Sequence, residues 1–204
     1  MNLQRRSRKK RPARTWGRFL ARLLRGLRTV PFVFCLLHVL VPRTAGGQED
    51  PVDEYKLKAA MLYNLTYFVE WPGSAYPNPH APIFLCILGQ DPFASSLAST
   101  IPKQTDNVRP VLIRHLQSDK EIPGCLILYI SSSERKTAAH IFSSLNGSGV
   151  LTVGEMTQFA AHGGMIQFSL EDQHVRFDIN IDAASRAGLK ISSKLLALAQ
   201  IVKN

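Results

Sequence analysis

Short polar clusters follow three of the apolar runs in this 204-residue sequence, and their residue types suit the binding of a small solute. In open α/β sheets, hydroxyl, carboxylate and free N–H groups gather beyond the carboxyl ends of parallel strands, where small ligands bind. The residues that would form this candidate ligand site are Asp91, Ser131, Ser132, Ser133, Thr152 and Glu155. The same residue types are also ordinary helix caps and turns, so a purely structural role stays open.

Catalytic and metal-binding patterns are missing from the sequence. It contains no Gly-x-Ser-x-Gly, no phosphate loop, no Gly-x-Gly-x-x-Gly and no Cys-x-x-Cys. Five histidines beyond residue 47 are scattered singly, and no two have the spacing of metal ligands; they are His80, His115, His140, His162 and His174. The sequence therefore predicts neither an enzyme nor a metal site or cofactor.

Apolar runs of strand length alternate with helical segments between residues 54 and 153, and this alternation predicts a parallel sheet with helices on both faces. The expected strands are Ile83–Leu88, Val108–Arg114, Leu126–Ile130 and Val150–Val153. The expected helices are Glu54–Val69, Pro92–Ile101 and Glu134–Leu145. The predicted fold class is a three-layer α/β/α sandwich with a mostly parallel sheet.

The last fifty residues change their structural period several times. A small helical patch is expected at Met156–His162, before two alternating segments at Met165–Leu170 and His174–Ile181. These segments are too close together for a crossover, so they predict a C-terminal antiparallel hairpin on one edge of the sheet. A final amphipathic helix, capped by Ser192 or Ser193, is expected to run to Val202.

The formal net charge of +10 raises the question of nucleic-acid binding. Twelve of the 25 Lys and Arg residues lie in residues 1–47, which contain no Asp or Glu. Residues 48–204 carry 13 basic and 15 acidic side chains. Such a body has no electrostatic reason to bind a phosphate backbone, so the sequence predicts no nucleic-acid partner.

The basic segment has the three parts of an export signal. Met1–Arg28 is rich in Arg and Lys, Val30–Val41 is an apolar run, and small residues follow at Thr44–Gly47. Twelve apolar residues are too few to span a bilayer of about 30 Å, which needs roughly 20 in a helix. We therefore expect a cleaved leader at residues 1–47 and an exported α/β domain at residues 48–204. The alternatives are an uncleaved membrane anchor and a basic nucleic-acid arm.

Removal of the leader would leave two cysteines, Cys86 and Cys125. An even count in an oxidising compartment favours one disulfide, and two buried free thiols are the alternative.

Two places are expected to contact a protein partner. Trp71 and Pro72 lie between a helix and a proline-rich loop, although a tryptophan at such a position is also a common core residue. Arg176, Asp178 and Asn180 share the polar face of a predicted strand, which would be exposed at the sheet edge. An exposed edge strand would also permit a homodimer.

Four blocks of residues resemble the periplasmic YfiR-like proteins, and the likeness covers about Glu54 to Val202. The blocks are Glu54–Pro72 (EYKLKAAMLYNLTYFVEWP), Cys86–Phe93 with Cys125, Leu151–Gly154 with Phe159-Ala160 and Gly163–Ile166, and Arg176–Asn180 with Leu189–Leu196. The resemblance implies an exported, periplasmic regulator rather than a catalyst, and a disulfide between Cys86 and Cys125. The second cysteine pair found in some members is missing here.

The resemblance also implies a signalling circuit. The expected partner is the periplasmic domain of a membrane-bound diguanylate cyclase or sensor kinase, which the protein would repress or modulate by contact. An outer-membrane lipoprotein that sequesters the repressor would be a further partner and would raise cyclic-di-GMP. A periplasmic small-solute binding protein that uses the strand-end hydroxyls is the alternative function.

Overall fold

The computed structural model describes residues 51–78, 80–102 and 109–203, so the expected leader at residues 1–47 lies outside the described residues. The helices are α1 (Pro51–Phe68), α2 (Ser95–Thr100), α3 (Ala138–Ser144), α4 (Ile181–Arg186) and α5 (Ser193–Leu196). The strands are β1 (Val69–Glu70), β2 (Ile83–Leu88), β3 (Val111–Leu116), β4 (Ile127–Ile130), β5 (Leu151–Gly154), β6 (Ile166–Glu171), β7 (His174–Asn180), β8 (Lys190–Ile191) and β9 (Gln200–Val202).

Seven strands form one sheet in the order β3-β2-β4-β5-β6-β7-β9. Neighbours from β3 to β6 pair in parallel, β6 and β7 pair antiparallel, and β9 pairs in parallel with β7. A separate two-stranded sheet joins β1 to β8. The mostly parallel sheet and the C-terminal hairpin confirm the predicted fold class.

The alternation of side chains along each strand divides the core into two clusters, one on each face of the sheet. Leu85 and Ile87 of β2 belong to the first cluster, which α1, α2, α4 and α5 cover with residues such as Leu62. Cys86 and Leu88 of the same strand belong to the second cluster, which α3 covers. Because both faces are buried, the central strands read as continuous apolar runs in the sequence.

The hairpin between β6 and β7 has a two-residue turn at Asp172 and Gln173. Both residues have positive φ, 48° and 64°, which is the conformation that matches the right-handed twist of two paired strands. The register places Phe168 opposite Phe177 and Glu171 opposite His174. The predicted hairpin is therefore present, with its turn one residue shorter than expected.

The predicted C-terminal helix is wrong beyond its first turn. Ser192 caps α5 as expected, because its hydroxyl accepts a hydrogen bond from the Lys194 backbone N–H at 3.3 Å. The helix ends at Leu196, and residues 200–202 then form β9 against β7. The edge of β7 offers unpaired backbone groups, and pairing with them outweighs a helical pattern of apolar side chains.

Other helices are shorter than predicted. The helix expected at Pro92–Ile101 begins only at Ser95, because the Asp91 carboxylate accepts the Phe93 N–H at 2.7 Å and Ala94 has a φ of 49°. The expected helix Glu134–Leu145 becomes a 3₁₀ turn at residues 132–134 followed by α3. The strand expected at Val108–Arg114 is β3, which starts three residues later and ends two residues later than expected. Val108 itself lies outside the described residues.

The expected helical patch at Met156–His162 consists of turns. The side chain of Phe159, 2% exposed, lies between two glycines of the chain. A Cβ at Gly154 would lie 2.5 Å from its ring, and a Cβ at Gly164 would lie 2.2 Å from it. This segment therefore folds around one buried ring and needs residues without side chains on both sides of that ring.

Within the described residues, no helix has both the length and the apolar composition needed to cross a bilayer.

Candidate functional site

β2 and β4 are neighbours in the sheet, but the chain continues from β2 to β3 on one side and from β4 to β5 on the other. Folds of this kind usually bind a ligand at the carboxyl ends of two such strands. Here the loops after the two strands contact each other. The Gln90 N–H donates to the Ser133 hydroxyl at 3.1 Å, and a Cβ on Gly89 would lie 2.3 Å from the same oxygen. Glu134 also lies against Gly89. The crevice that would hold a solute is therefore filled by the protein's own side chains.

The other predicted residues at these strand ends have structural partners. One carboxylate oxygen of Asp91 accepts the Phe93 N–H, and the other lies 2.8 Å from Nε2 of His115. The Ser131 hydroxyl accepts the Ser133 N–H at 3.4 Å, while Ser132 is exposed. These contacts are those of caps and turns, the alternative that the sequence left open.

The candidate site required Thr152 to lie at a strand end, but the structure places it elsewhere. It is inside β5 and 1% exposed, and its hydroxyl oxygen accepts the Met165 N–H at 3.0 Å. The short strand β5 extends to Gly154, so Thr152 falls in its middle rather than beyond it.

Glu155 follows β5 and takes part in a buried charge cluster that the sequence did not predict. Its carboxylate lies 2.7 Å from Nζ of Lys58 and accepts the Tyr55 hydroxyl at 3.2 Å. Lys58 also contacts Glu54, one turn earlier on α1, at 2.5 Å. Burial lowers the pKa of Lys58, but the hydrogen bonds and charges of Glu155 and Glu54 more than offset that effect, so the net pKa is raised. The cluster ties the start of α1 to the end of β5.

The hydroxyl of Tyr129 lies near this cluster. The residue is fully buried, and its oxygen has no hydrogen-bond partner among the described residues. Burial, followed by the negative charge of Glu155, raises the pKa of Tyr129. Its ring packs edge-on against Phe93 with 4.8 Å between the ring centroids. Sequence reasoning missed this residue because it stands in a continuous apolar run.

The predicted partner contact at Trp71 is not on the surface. Trp71 is 9% exposed and packs in the first core cluster, and its indole N–H donates to the Leu126 carbonyl at 3.3 Å. Pro72, the next residue, is exposed. The burial and the hydrogen bond of the indole support the core interpretation of Trp71.

The polar face of β7 is exposed at one end only. Arg176 is exposed, whereas Asp178 is partly buried, and burial together with the charge of Glu171 raises its pKa. Asn180 is completely buried, contrary to the prediction. Its amide donates to the Ala160 carbonyl at 2.7 Å, and its carbonyl caps α4 by accepting the Ala183 N–H at 2.9 Å. The residue fixes the start of a helix and is unavailable to a partner.

An apolar groove runs between α1, the β6–β7 hairpin and α5, and we call it the α1–α5 groove. It has a volume of about 160 Å³ and is lined by Met61, Asn64, Leu65, Phe68, Ile166, Phe168, Phe177, Leu195 and Leu198. Leu198 on its rim is 75% exposed, and Leu57 and Leu170, on two of the same elements, are 50% and 49% exposed. Sequence reasoning missed the groove because it continued the final helix through Leu198 to Val202, whereas the helix ends at Leu196.

Cys86 of β2 and Cys125, which precedes β4, form a disulfide with their Cα atoms 5.9 Å apart. Both residues are buried, at 0% and 2% exposure. The bond confirms the disulfide prediction over that of two free thiols.

A comparison with protein-family models matches residues 55–200 to the family described as YfiR/HmsC-like. The match includes α1 from its second turn, the whole seven-stranded sheet except its last two residues, and both cysteines of the disulfide.

Proposed function

This chain belongs to the YfiR/HmsC-like family, and from that premise we propose that it represses or modulates one membrane-bound diguanylate cyclase by binding its periplasmic domain. Family members are periplasmic regulators of diguanylate cyclase signalling rather than catalysts. The proposal includes export through a cleaved leader at residues 1–47. The disulfide between Cys86 and Cys125 is in keeping with an oxidising compartment.

The α1–α5 groove is the observation that supports the proposal independently of family membership. Soluble proteins seldom leave large leucines exposed around an apolar depression unless another molecule covers them. Leu198 is such a residue, and Leu57 and Leu170 are two further exposed leucines on α1 and β6, which also contribute to the groove. We propose that an apolar side chain of the cyclase's periplasmic domain enters the groove, because buried apolar anchors supply most of the binding energy of an interface.

The test is a binding measurement with a matched pair of variants. Leu198→Lys places a charge on the rim of the groove, whereas Leu112→Lys places the same charge on β3, at the other end of the sheet, where the leucine is 47% exposed. We expect Leu198→Lys to weaken binding of the purified periplasmic domain at least about tenfold. Leu112→Lys should bind as the unaltered protein does, because lysine is well tolerated on edge strands.

The same variants test the cellular role. Deletion of the gene should raise cyclic-di-GMP several-fold if the protein is a repressor, and only the Leu112→Lys variant should restore the low level. Unchanged cyclic-di-GMP after deletion, together with no binding to the cyclase domain, would refute the proposal. A change in autophosphorylation of a sensor kinase instead would identify the alternative partner.

Pro72, Arg176 and Asp178 remain candidates for a second contact. Pro72 and Arg176 are exposed, and Asp178 is partly exposed beside Arg176 on β7. We propose the face of β7 that presents Arg176 and Asp178 for an outer-membrane lipoprotein that would compete with the cyclase for the protein. Arg176→Glu should then weaken the lipoprotein contact and leave the cyclase contact unchanged.

A further inference from the structure

A cavity of about 280 Å³ lies between α3, α4 and the loop that joins β5 to β6, and we call it the α3–α4 cavity. It is separate from the α1–α5 groove and shares no lining residue with it. Its apolar walls come from Phe142, Leu145, Met165, Ala183 and Ala187. Four of these five residues are buried and Phe142 is partly buried, so the walls are part of the packed protein.

The polar groups of this cavity include two cationic or potentially cationic side chains and no acid. Arg186 and His162 line it, and none of the twelve lining residues is Asp or Glu. Neither the guanidinium of Arg186 nor the imidazole of His162 makes a hydrogen bond or ion pair with another side chain or carbonyl in the described parts of the chain. Both residues are exposed, so water satisfies these donors when no ligand is bound, and both can donate to an anion at the cavity.

Thr152 adds a third donor at the base of the cavity. Its hydroxyl oxygen accepts the Met165 N–H, and the side chain is 99% buried. A threonine hydroxyl can also donate one hydrogen bond, so Thr152 can give its hydrogen to a ligand in the cavity.

We propose that the α3–α4 cavity binds a small organic monocarboxylate. A carboxylate is the acceptor that matches a planar guanidinium through two parallel hydrogen bonds, and one of its oxygens would accept the Thr152 hydroxyl. The apolar walls suit a short hydrocarbon or ring on that carboxylate. A multiply charged phosphate fits less well, because Arg186 is the one permanently charged residue among the lining residues.

The proposal is independent of the cyclase contact and places solute binding away from the strand ends. Among the residues predicted for a solute site, Thr152 is the one that lines this cavity. It was selected as a strand-end hydroxyl, whereas it lies in the middle of β5 and is one of the lining residues of the α3–α4 cavity. Binding at this cavity therefore tests the small-solute hypothesis at the location that the fold provides.

The experiment is titration calorimetry of the purified protein with hexanoate and benzoate, with hexanol and inorganic phosphate as comparison probes. We expect one carboxylate per chain, bound at least about tenfold more tightly than hexanol or phosphate. Arg186→Gln should weaken carboxylate binding at least about tenfold, because it removes the bidentate partner. Lys120→Gln, at an exposed position between β3 and β4 outside the cavity lining, is the control for loss of one positive charge and should leave the affinity unchanged.

A second variant tests the position without changing charge. Ala139 is exposed at the cavity and belongs to α3, so Ala139→Leu keeps a good helix former and fills the space. We expect it to abolish binding while the melting temperature stays within a few degrees of the original. Absence of carboxylate binding at about 10 mM would overturn the proposal. Undiminished binding in both the Arg186→Gln and Ala139→Leu variants, or equal affinity for phosphate, would also overturn it.

Discussion

At the scale of single residues, Lys58 has the most demanding environment in the described part of the chain. Its side chain is 4% exposed and lies between the carboxylates of Glu54 and Glu155, which are 20% and 17% exposed. Its ammonium also lies 4.9 Å from the centre of the Tyr55 ring. A buried cation is stable only when such partners compensate for its lost hydration, so the cluster is a structural requirement for packing α1 on the sheet.

We predict that Lys58→Met destabilises the protein by about 3 kcal/mol, because two partly buried carboxylates lose their shared cation. Lys136→Met, at an exposed position before α3, is the control and should change the free energy of unfolding by no more than about 0.5 kcal/mol. Urea denaturation of both variants measures the difference. Equal free energies of unfolding for the two variants would contradict the structural role of the Lys58 cluster.

The contribution of Lys58 to the free energy of unfolding should change with pH in a defined direction. The pKa of Lys58 is raised in the folded protein, so its contribution is complete below the ordinary lysine value of about 10.4 and is lost as the pH rises through the folded value. The stability difference between the unaltered protein and Lys58→Met should therefore persist at neutral pH and narrow in strongly alkaline solution.

The sequence could predict caps at this scale but not the burial of polar groups. The residue types of Asp91 and Ser131 left a role in caps or turns open, and the Asp91 carboxylate accepts a backbone N–H in a turn, while Ser131 caps the 3₁₀ turn at residues 132–134. Asn180 was placed on an exposed face from local alternation alone, and its burial depends on a contact with Ala160, which is distant along the chain. No position was predicted for the Lys58 side chain, whose burial likewise depends on the distant Glu155. Long-range partners of a polar side chain are not encoded in local spacing, so exposure was assumed where burial occurs.

At the scale of elements, the fold was predictable where apolar runs are continuous. The strand Ile83–Leu88 was predicted with its observed bounds, because a strand buried on both faces has an unambiguous sequence pattern. The segment after Ser192 was wrongly predicted to be helical throughout, because its leucines have helical spacing. In the structure its last residues pair instead with the free edge of β7. An amphipathic pattern measures local preference, and the pairing of an edge strand is a tertiary effect.

We predict that removal of residues 200–204 destabilises the protein by roughly 1–3 kcal/mol, because it deletes the three-residue ladder between β9 and β7. Removal of residues 203–204 alone leaves that ladder intact and is the control. The shorter chain should also self-associate, since the whole edge of β7 becomes available for pairing with another copy. Thermal melting and light scattering measure the two effects. Identical melting temperatures and identical masses for the two truncated proteins would show that β9 has no such role.

At the scale of the whole molecule, the disulfide and the α1–α5 groove belong to different parts of the sheet. Cys86 and Cys125 link β2 to the entry of β4, whereas the groove lies at β6 and β7, beyond β5 in the strand order. The bond closes a chain segment of 39 residues that contains α2 and β3. It therefore constrains one half of the fold, and the proposed partner contact uses the other half.

We predict that the Cys86→Ala, Cys125→Ala double variant is less stable by roughly 4 kcal/mol, because the unfolded chain regains the entropy that the closed loop removes. For a domain of this size, that corresponds to a lower melting temperature by roughly 10 °C. A reducing agent should lower the melting temperature of the unaltered protein and leave the double variant unchanged. Below its melting temperature, the double variant should still bind the cyclase domain with unaltered affinity, because the groove contains neither cysteine. Loss of that binding in a variant that remains folded would show that the two halves of the sheet are coupled.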